Sequence, residues 1–195
     1  MFNMLKKHYI CITLLLAIIG TITYMSLWFK DMIDDRYYPI SLSKQDEITI
    51  NYKTPYIVSD KRCFRLDFIL RGDNDPYNIK YFNNKYGNVY YEQTEKEYYL
   101  DVASKPKLHI KIFKEDTLVY ESDIYTTRLF GRGYTTINNE KKRFVGVFLS
   151  YGYRRGGCYY FYPNSNYRII VTNLIPKEEY KDTDVFFTIS PIKLR

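Results

Sequence analysis

Residues 9–29 run for twenty-one positions without a charged side chain, between Lys6 and Lys7 on one flank and Lys30 and Asp31 on the other. At a helical rise of about 1.5 Å per residue such a run reaches roughly 30 Å, the thickness of a bilayer's hydrocarbon core. It predicts one N-terminal transmembrane helix. The chain then divides into a cytoplasmic flank (1–8), an anchor (9–29), a linker (30–36) and a single exported domain (37–195). The short flank carries lysines and no acid, which orients the span with its N-terminus in the cytoplasm and the domain outside. A cleaved signal peptide is the rival reading. Its apolar core is shorter, at about 7 to 15 residues, and ends at paired small residues. Ile18/Gly20 and Thr23/Met25 fill those positions poorly, so the uncleaved anchor is preferred.

The remainder is long enough for one domain with a real core. The twenty-three tyrosines and twelve phenylalanines of the whole chain favour strands. Ile48, Ile50 and Tyr52 alternate with polar residues. So do Phe64, Leu66, Phe68 and Leu70, and again Leu108, Ile110 and Ile112. A period of two buries one face of a strand and wets the other. Further strands are predicted at 117–121, 144–153, 158–162, 167–172 and 184–194. Turn signals fall at 72–76, 83–84, 86–88, 138–139 and 163–164, and a helical turn at 176–182. Many short strands with such turns predict a mainly β chain, an antiparallel immunoglobulin-like β-sandwich following the helix.

Cys11 lies inside the apolar run, which leaves Cys63 and Cys158 as the pair an oxidising compartment would bridge, two separate buried thiols being the alternative. Because alternation puts Cys63 on the wetter side of its strand, a bridge there would cross a sheet edge or tie down a loop. Catalytic constellations are scarce. His8 and His109 are the two histidines, and His109 alternates with Lys107 and Lys111, where positive charge discourages protonation and metal binding. Asp73 and Asp75 lack the glycine and distal glutamate of a calcium loop, and Glu92, Glu95 and Glu97 read as solvated charges. The expectation is a protein that is not an enzyme, with no metal and no cofactor.

Charge is segregated along the chain. The whole sequence is +7, residues 31–195 carry +4, and the stretch 128–155 alone carries +6, with Glu140 as its one acid. Two glycine-punctuated loops hold the sharpest part, Phe130-Gly131-Arg132-Gly133-Tyr134 and Tyr153-Arg154-Arg155-Gly156-Gly157. Arginine offers a planar fork of donors, tyrosine offers rigid contact area, and both concentrate where interfaces hold their energy. The predicted partner-binding residues are therefore Arg128, Phe130, Arg132, Tyr134, Tyr151, Tyr153, Arg154 and Arg155, forming one surface if the two loops lie side by side. A solvated end of the sandwich, or attraction to anionic lipid or polysaccharide, are the other uses of such charge. Nucleic acid is disfavoured by the predicted location.

The layout, together with Tyr37-Tyr38-Pro39-Ile40-Ser41-Leu42, Glu47-Ile48-Thr49-Ile50 and Cys63-Phe64-Arg65-Leu66-Asp67-Phe68, resembles small bacterial membrane-anchored periplasmic β-sandwich proteins of uncharacterised families. Some of these act as immunity proteins against interbacterial toxins. The resemblance implies a binder on the periplasmic side of the inner membrane whose partner is a protein, such as a secreted toxin. A structural or assembly factor of the cell envelope and a carbohydrate-binding module are the alternatives. The last predicts a row of tyrosines on one sheet face.

Overall fold

The structure, a computed structural model, describes residues 2–33, 36–54, 60–70, 105–152 and 155–191. The predicted turns at 72–76, 83–84 and 86–88, the acidic connector at 92–97 and the loop tip at Tyr153-Arg154 lie outside them. The chain forms two compact units, residues 1–34 and 35–195.

The first unit is one helix, α1 (Phe2–Ile33). Ile12, Leu14, Leu15, Leu16, Ile18, Ile19, Ile22 and Leu27 are all exposed on it. The hydroxyls of Thr13, Thr21 and Thr23 fold back onto the carbonyls of Tyr9, Ala17 and Ile19 at 2.8 to 2.9 Å, so the helix spends its few polar groups on its own backbone. Among the described residues no helix is long and apolar enough to cross a membrane. The transmembrane span expected over residues 9–29 is corrected accordingly to an apolar helix.

The second unit holds β1 (Arg36–Pro39), β2 (Glu47–Lys53), β3 (Asp60–Leu70), β4 (Lys107–Lys114), β5 (Thr117–Ile137), β6 (Glu140–Gly152), β7 (Arg155–Gly156), β8 (Cys158–Phe161), β9 (Asn166–Asn173) and β10 (Val185–Pro191), with a 3₁₀ turn at Glu178–Tyr180. The β-rich, antiparallel expectation holds. The sandwich does not, because all ten strands belong to one sheet in the order β1-β10-β3-β6-β5-β4-β9-β2, with β7 on β6 and β8 on β3. The two ends of that order meet. Arg36 Nη1 donates to the carbonyl of Lys53 at 3.2 Å, and its guanidinium stands 4.7 Å from the centre of the Tyr52 ring. The sheet is thus a nearly closed barrel.

The three predicted alternating sets point into the same interior, together with Val145, Val147, Leu149, Phe161, Tyr167, Ile169, Val171, Phe187 and Ile189. Period two specifies that one face is buried but leaves open whether that face meets a second sheet or the far wall of its own. Phe64 is at the centre, stacked on Phe187 at 5.6 Å and tilted against Tyr120 at 6.4 Å. Truncating it to alanine would cost about 3 to 5 kcal/mol.

Residues 40–46 seal one end. Ile40 and Leu42 sit in the core, the Ile40 N–H reaches the Val185 carbonyl at 3.0 Å, and the Lys177 N–H reaches the Leu42 carbonyl at 2.8 Å. The buried Asn173 amide donates to the carbonyls of Ser41, Leu42 and Lys44. Tyr180, from the helical turn predicted at 176–182, packs on Phe68 at 5.6 Å.

Cys63 and Cys158 form a disulfide across directly opposed positions of β3 and β8. It joins neighbouring strands, instead of crossing an edge or fastening a loop. β3 is long enough to pair with two partners along one side, β8 over Asp60 to Cys63 and β6 over Arg65 to Leu70. Gly157 stands at the junction, its N–H on the Leu149 carbonyl and its carbonyl receiving the Phe64 N–H, both at 2.8 Å. A Cβ there would lie 3.0 Å from the Leu149 oxygen. The glycine that reads as loop punctuation in the sequence stands where a side chain would crowd a neighbouring carbonyl.

Candidate partner-binding surface

The basic stretch folds as strand. Residues 128–134 lie within β5 and Tyr151 within β6, while Arg155 belongs to the two-residue β7. Tyr153 and Arg154 lie outside the described residues. Register separates the two groups, because Arg132 is opposite Val145 and Arg155 is opposite Gly152. Those β6 positions are seven residues apart, or about 23 Å at 3.3 Å per residue. The described backbone thus puts Arg132 and Arg155 toward different ends of β6.

β5 bends away from β4. Its pairing with β4 ends at Tyr125, and register shifts follow between Thr126 and Leu129 and between Leu129 and Gly131, where bulges bend a strand and increase its twist. Beyond them, residues 131–137 pair with 140–146 of β6 and close through Asn138 and Asn139 at φ 53 and 65°, a left-handed pair that asparagine tolerates. Gly133 lets the Phe144 ring approach, since a Cβ there would meet it at 3.1 Å. Tyr134 is 65 % exposed, and the Lys141 ammonium lies 4.6 Å from its ring centre. Lys142 pairs with Glu140 at 3.3 Å.

Two tyrosines that sequence reasoning did not select repeat this arrangement. Tyr160 and Tyr162 are exposed, with Lys61 5.4 Å and Lys114 4.8 Å from their respective ring centres. Their spacing of two on the predicted strand 158–162 was the available signal, masked by the abundance of tyrosine throughout the chain.

Across β4 and β5 the exposed face is an ion-pair ladder. Lys107 Nζ meets Asp123 at 2.6 Å, His109 Nδ1 meets the same carboxylate at 2.6 Å, His109 Nε2 meets Glu121 at 3.0 Å, and Lys111 Nζ meets Glu121 at 3.3 Å. Both imidazole nitrogens lie within hydrogen-bonding distance of carboxylate oxygens. The sequence shows His109 among lysines, while the acids opposite it come from the adjacent strand, out of reach of any local pattern. Burial pushes the Asp123 pKa up, but hydrogen bonds from Lys107 and His109 outweigh it and hold the carboxyl below its usual range. Glu121 is likewise lowered, chiefly by its hydrogen bond with Lys111, and Lys107 is raised by its bond to Asp123.

A second polar cluster faces away from the barrel interior and is nonetheless buried. Arg65 Nε donates to both Asp67 oxygens at 2.7 and 3.0 Å, and its Nη2 to Oδ2 at 2.9 Å. Arg65 Nη1 donates to Ser190 Oγ at 3.0 Å, and Thr188 Oγ1 donates to Asp67 at 2.9 Å. Such fully enclosed ion pairs set geometry more than they add stability. Among the described residues no group of three or more His, Cys, Asp or Glu is placed to hold a metal ion.

No family model matches the chain, and no curated protein does. Its fold is similar to the crystal structure of a protein from Sulfurospirillum deleyianum, with a TM-score of 0.50 and 13 % identity over 82 % of this chain and 98 % of that one. At that identity the likeness concerns the fold alone.

Proposed function

We propose that this is a non-enzymatic, extracytoplasmic binding protein that captures a protein partner, in the manner of an immunity protein against an antibacterial effector. The observation that carries the reading is the exposed β5–β6 hairpin, where Tyr134 lies under Lys141 beside Lys142 and Arg143. Rigid aromatic area with cations around it is the composition that interfaces favour. The disulfide supports an oxidising compartment, which for a bacterial chain is the periplasm. The exposed apolar side chains of α1 support an association of residues 9–29 with lipid at the inner membrane.

The proposed contacts are Arg128, Phe130, Arg132 and Tyr134 on β5, with Tyr151, Tyr153, Arg154 and Arg155 as a second patch. The test is protection of cells from the product of the reading frame adjacent to this gene, when that product is delivered to the periplasm. Wild-type chain protects and co-purifies with it; Arg132→Glu with Arg154→Glu does neither. Full protection by the double variant rules out the surface, and absence of any complex rules out the reading. A second reading, carbohydrate binding, draws on Tyr160 and Tyr162, exposed two positions apart. Retention on a polysaccharide column that fails in Tyr160→Ala plus Tyr162→Ala would favour it.

A further inference from the structure

We infer that Tyr160 and Tyr162, with the ammonium groups of Lys61 and Lys114, form a binding site for an acidic polysaccharide, a polymer of sugar rings that bear carboxylates. The inference rests on the carbohydrate reading and names its class of sugar; it is independent of the proposed capture of a protein. Burial alternates along residues 159–162. Tyr159 and Phe161 pack with the core, whereas Tyr160 and Tyr162 are 65 and 62 % exposed. The two exposed rings therefore leave the same side of the chain, two positions and roughly 7 Å apart. That step is on the scale of one pyranose ring. The flat C–H face of a sugar stacks on an aromatic face, so two tyrosines at this step offer places for successive sugars of one chain.

Main-chain contacts hold the two rings in place. Tyr160 is directly opposite Lys61 in the β3–β8 ladder, and the disulfide closes the same ladder two positions away, at Cys63 and Cys158. The Tyr162 N–H donates to the Tyr167 hydroxyl at 2.9 Å, and the Tyr162 carbonyl accepts from the Thr54 hydroxyl at 2.7 Å. Lys114 ends β4, opposite Tyr167 on β9. A ligand thus meets side chains whose backbone is already ordered, which lowers the entropy cost of binding.

Charge selects the class. Lys61 Nζ lies 5.4 Å from the Tyr160 ring centre and Lys114 Nζ 4.8 Å from that of Tyr162, and among the described residues neither ammonium forms an ion pair. Lys107, Lys111, Lys142 and Lys181, by contrast, each meet a carboxylate at 2.6 to 3.3 Å. An exposed ring with such a cation at its face suits a ligand that is apolar on its flat side and anionic at its edge. Glu115 and Asp116, exposed on the turn after Lys114, oppose the attraction and bound the site on that side. The repeated ring-and-cation unit favours a repeating polymer over an anionic membrane, whose headgroups attract positive charge at no fixed spacing.

The experiment titrates full-length protein in detergent with a galacturonate hexasaccharide, a neutral galactose hexasaccharide and phosphatidylglycerol vesicles, read by calorimetry. The galacturonate chain should bind at least about tenfold more tightly than the neutral one, two partly exposed ion pairs being enough for that ratio, and raising the salt should narrow the gap. Lys61→Gln with Lys114→Gln should remove most of the preference. Tyr160→Ala with Tyr162→Ala should abolish binding of both sugars with the melting temperature little changed, because both rings are exposed. Glu115→Gln with Asp116→Asn should tighten binding of the acidic chain alone. Equal binding of the two sugars overturns the acidic class and leaves the carbohydrate reading standing. Acidic binding that survives the tyrosine or the lysine double variant overturns the site. Binding of neither sugar, whether or not the vesicles bind, overturns the inference and the carbohydrate reading together.

Discussion

Replacing Asp67 with alanine tests whether the enclosed ion pair has the energetics its surroundings dictate. Asp67 is fully buried and accepts three contacts from Arg65 between 2.7 and 3.0 Å and one from Thr188 at 2.9 Å. Arg65 is itself 2 % exposed, so water cannot take the place of the lost carboxylate. Breaking a pair of this kind from one side costs about 3 to 5 kcal/mol. Against a total stability of about 5 to 15 kcal/mol, the variant loses a large share, equivalent to a fall in melting temperature of roughly 6 to 20 °C for a domain of this size. Urea unfolding followed by far-UV circular dichroism, with the slope compared between variants, measures the loss. The paired change Arg65→Met with Asp67→Leu removes both charges and should recover most of it, since well-packed apolar replacements of buried pairs are often neutral. A loss under about 1 kcal/mol for Asp67→Ala, or a paired variant as unstable as the single one, would refute the reasoning.

The ladder on β4 and β5 makes stability depend on pH at both extremes. The depressed Asp123 pKa contributes stability that is present above its unfolded value near 3.9 and lost as pH falls through the folded value, while the raised Lys107 pKa contributes below about 10.4 and is lost as pH rises through the folded one. Asp123→Asn should therefore cost no more than about 1 kcal/mol at pH 7, the pair being partly exposed, and the difference from wild type should shrink steadily as pH falls below about 3.9 in a urea series. Reducing the Cys63–Cys158 bridge, or replacing both cysteines with serine, should remove about 4 to 5 kcal/mol by the loop-entropy estimate, read as a lower melting temperature in dithiothreitol. Gly157→Ala should destabilise by about 1 to 3 kcal/mol because its Cβ would crowd the Leu149 carbonyl at 3.0 Å, and an unchanged unfolding midpoint would refute that account.

Local chemistry was legible in the sequence and closure was not. Alternation identified the inward residues of β2, β3 and β4, and Asn138-Asn139 marked a turn whose positive φ angles follow from those side chains. Alternation carries no information about which strands are neighbours, so a single curled sheet and two stacked ones look alike. Gly131 and Gly133 read as loop punctuation, yet both lie inside β5, where the glycine at 133 makes room for Phe144. Arg65 and Asp67 read as the wet face of β3 because their burial depends on surroundings no local pattern encodes. The basic stretch was visible as charge, while the distance between its halves was set by register along β6. His109 shows the same limit, since its partners Asp123 and Glu121 lie on a neighbouring strand.

The barrel's seam lies between β1 and β2, which are consecutive in the chain, yet each finds its ladder partner more than a hundred residues downstream, in β10 and β9. During synthesis both strands must therefore wait, without their ladder partners, until most of the polypeptide has emerged. Such long-range pairing makes folding slow and late. A cell making this protein must keep an aromatic-rich chain from associating wrongly until then, so holdase chaperones are expected to determine its yield more than its final stability does.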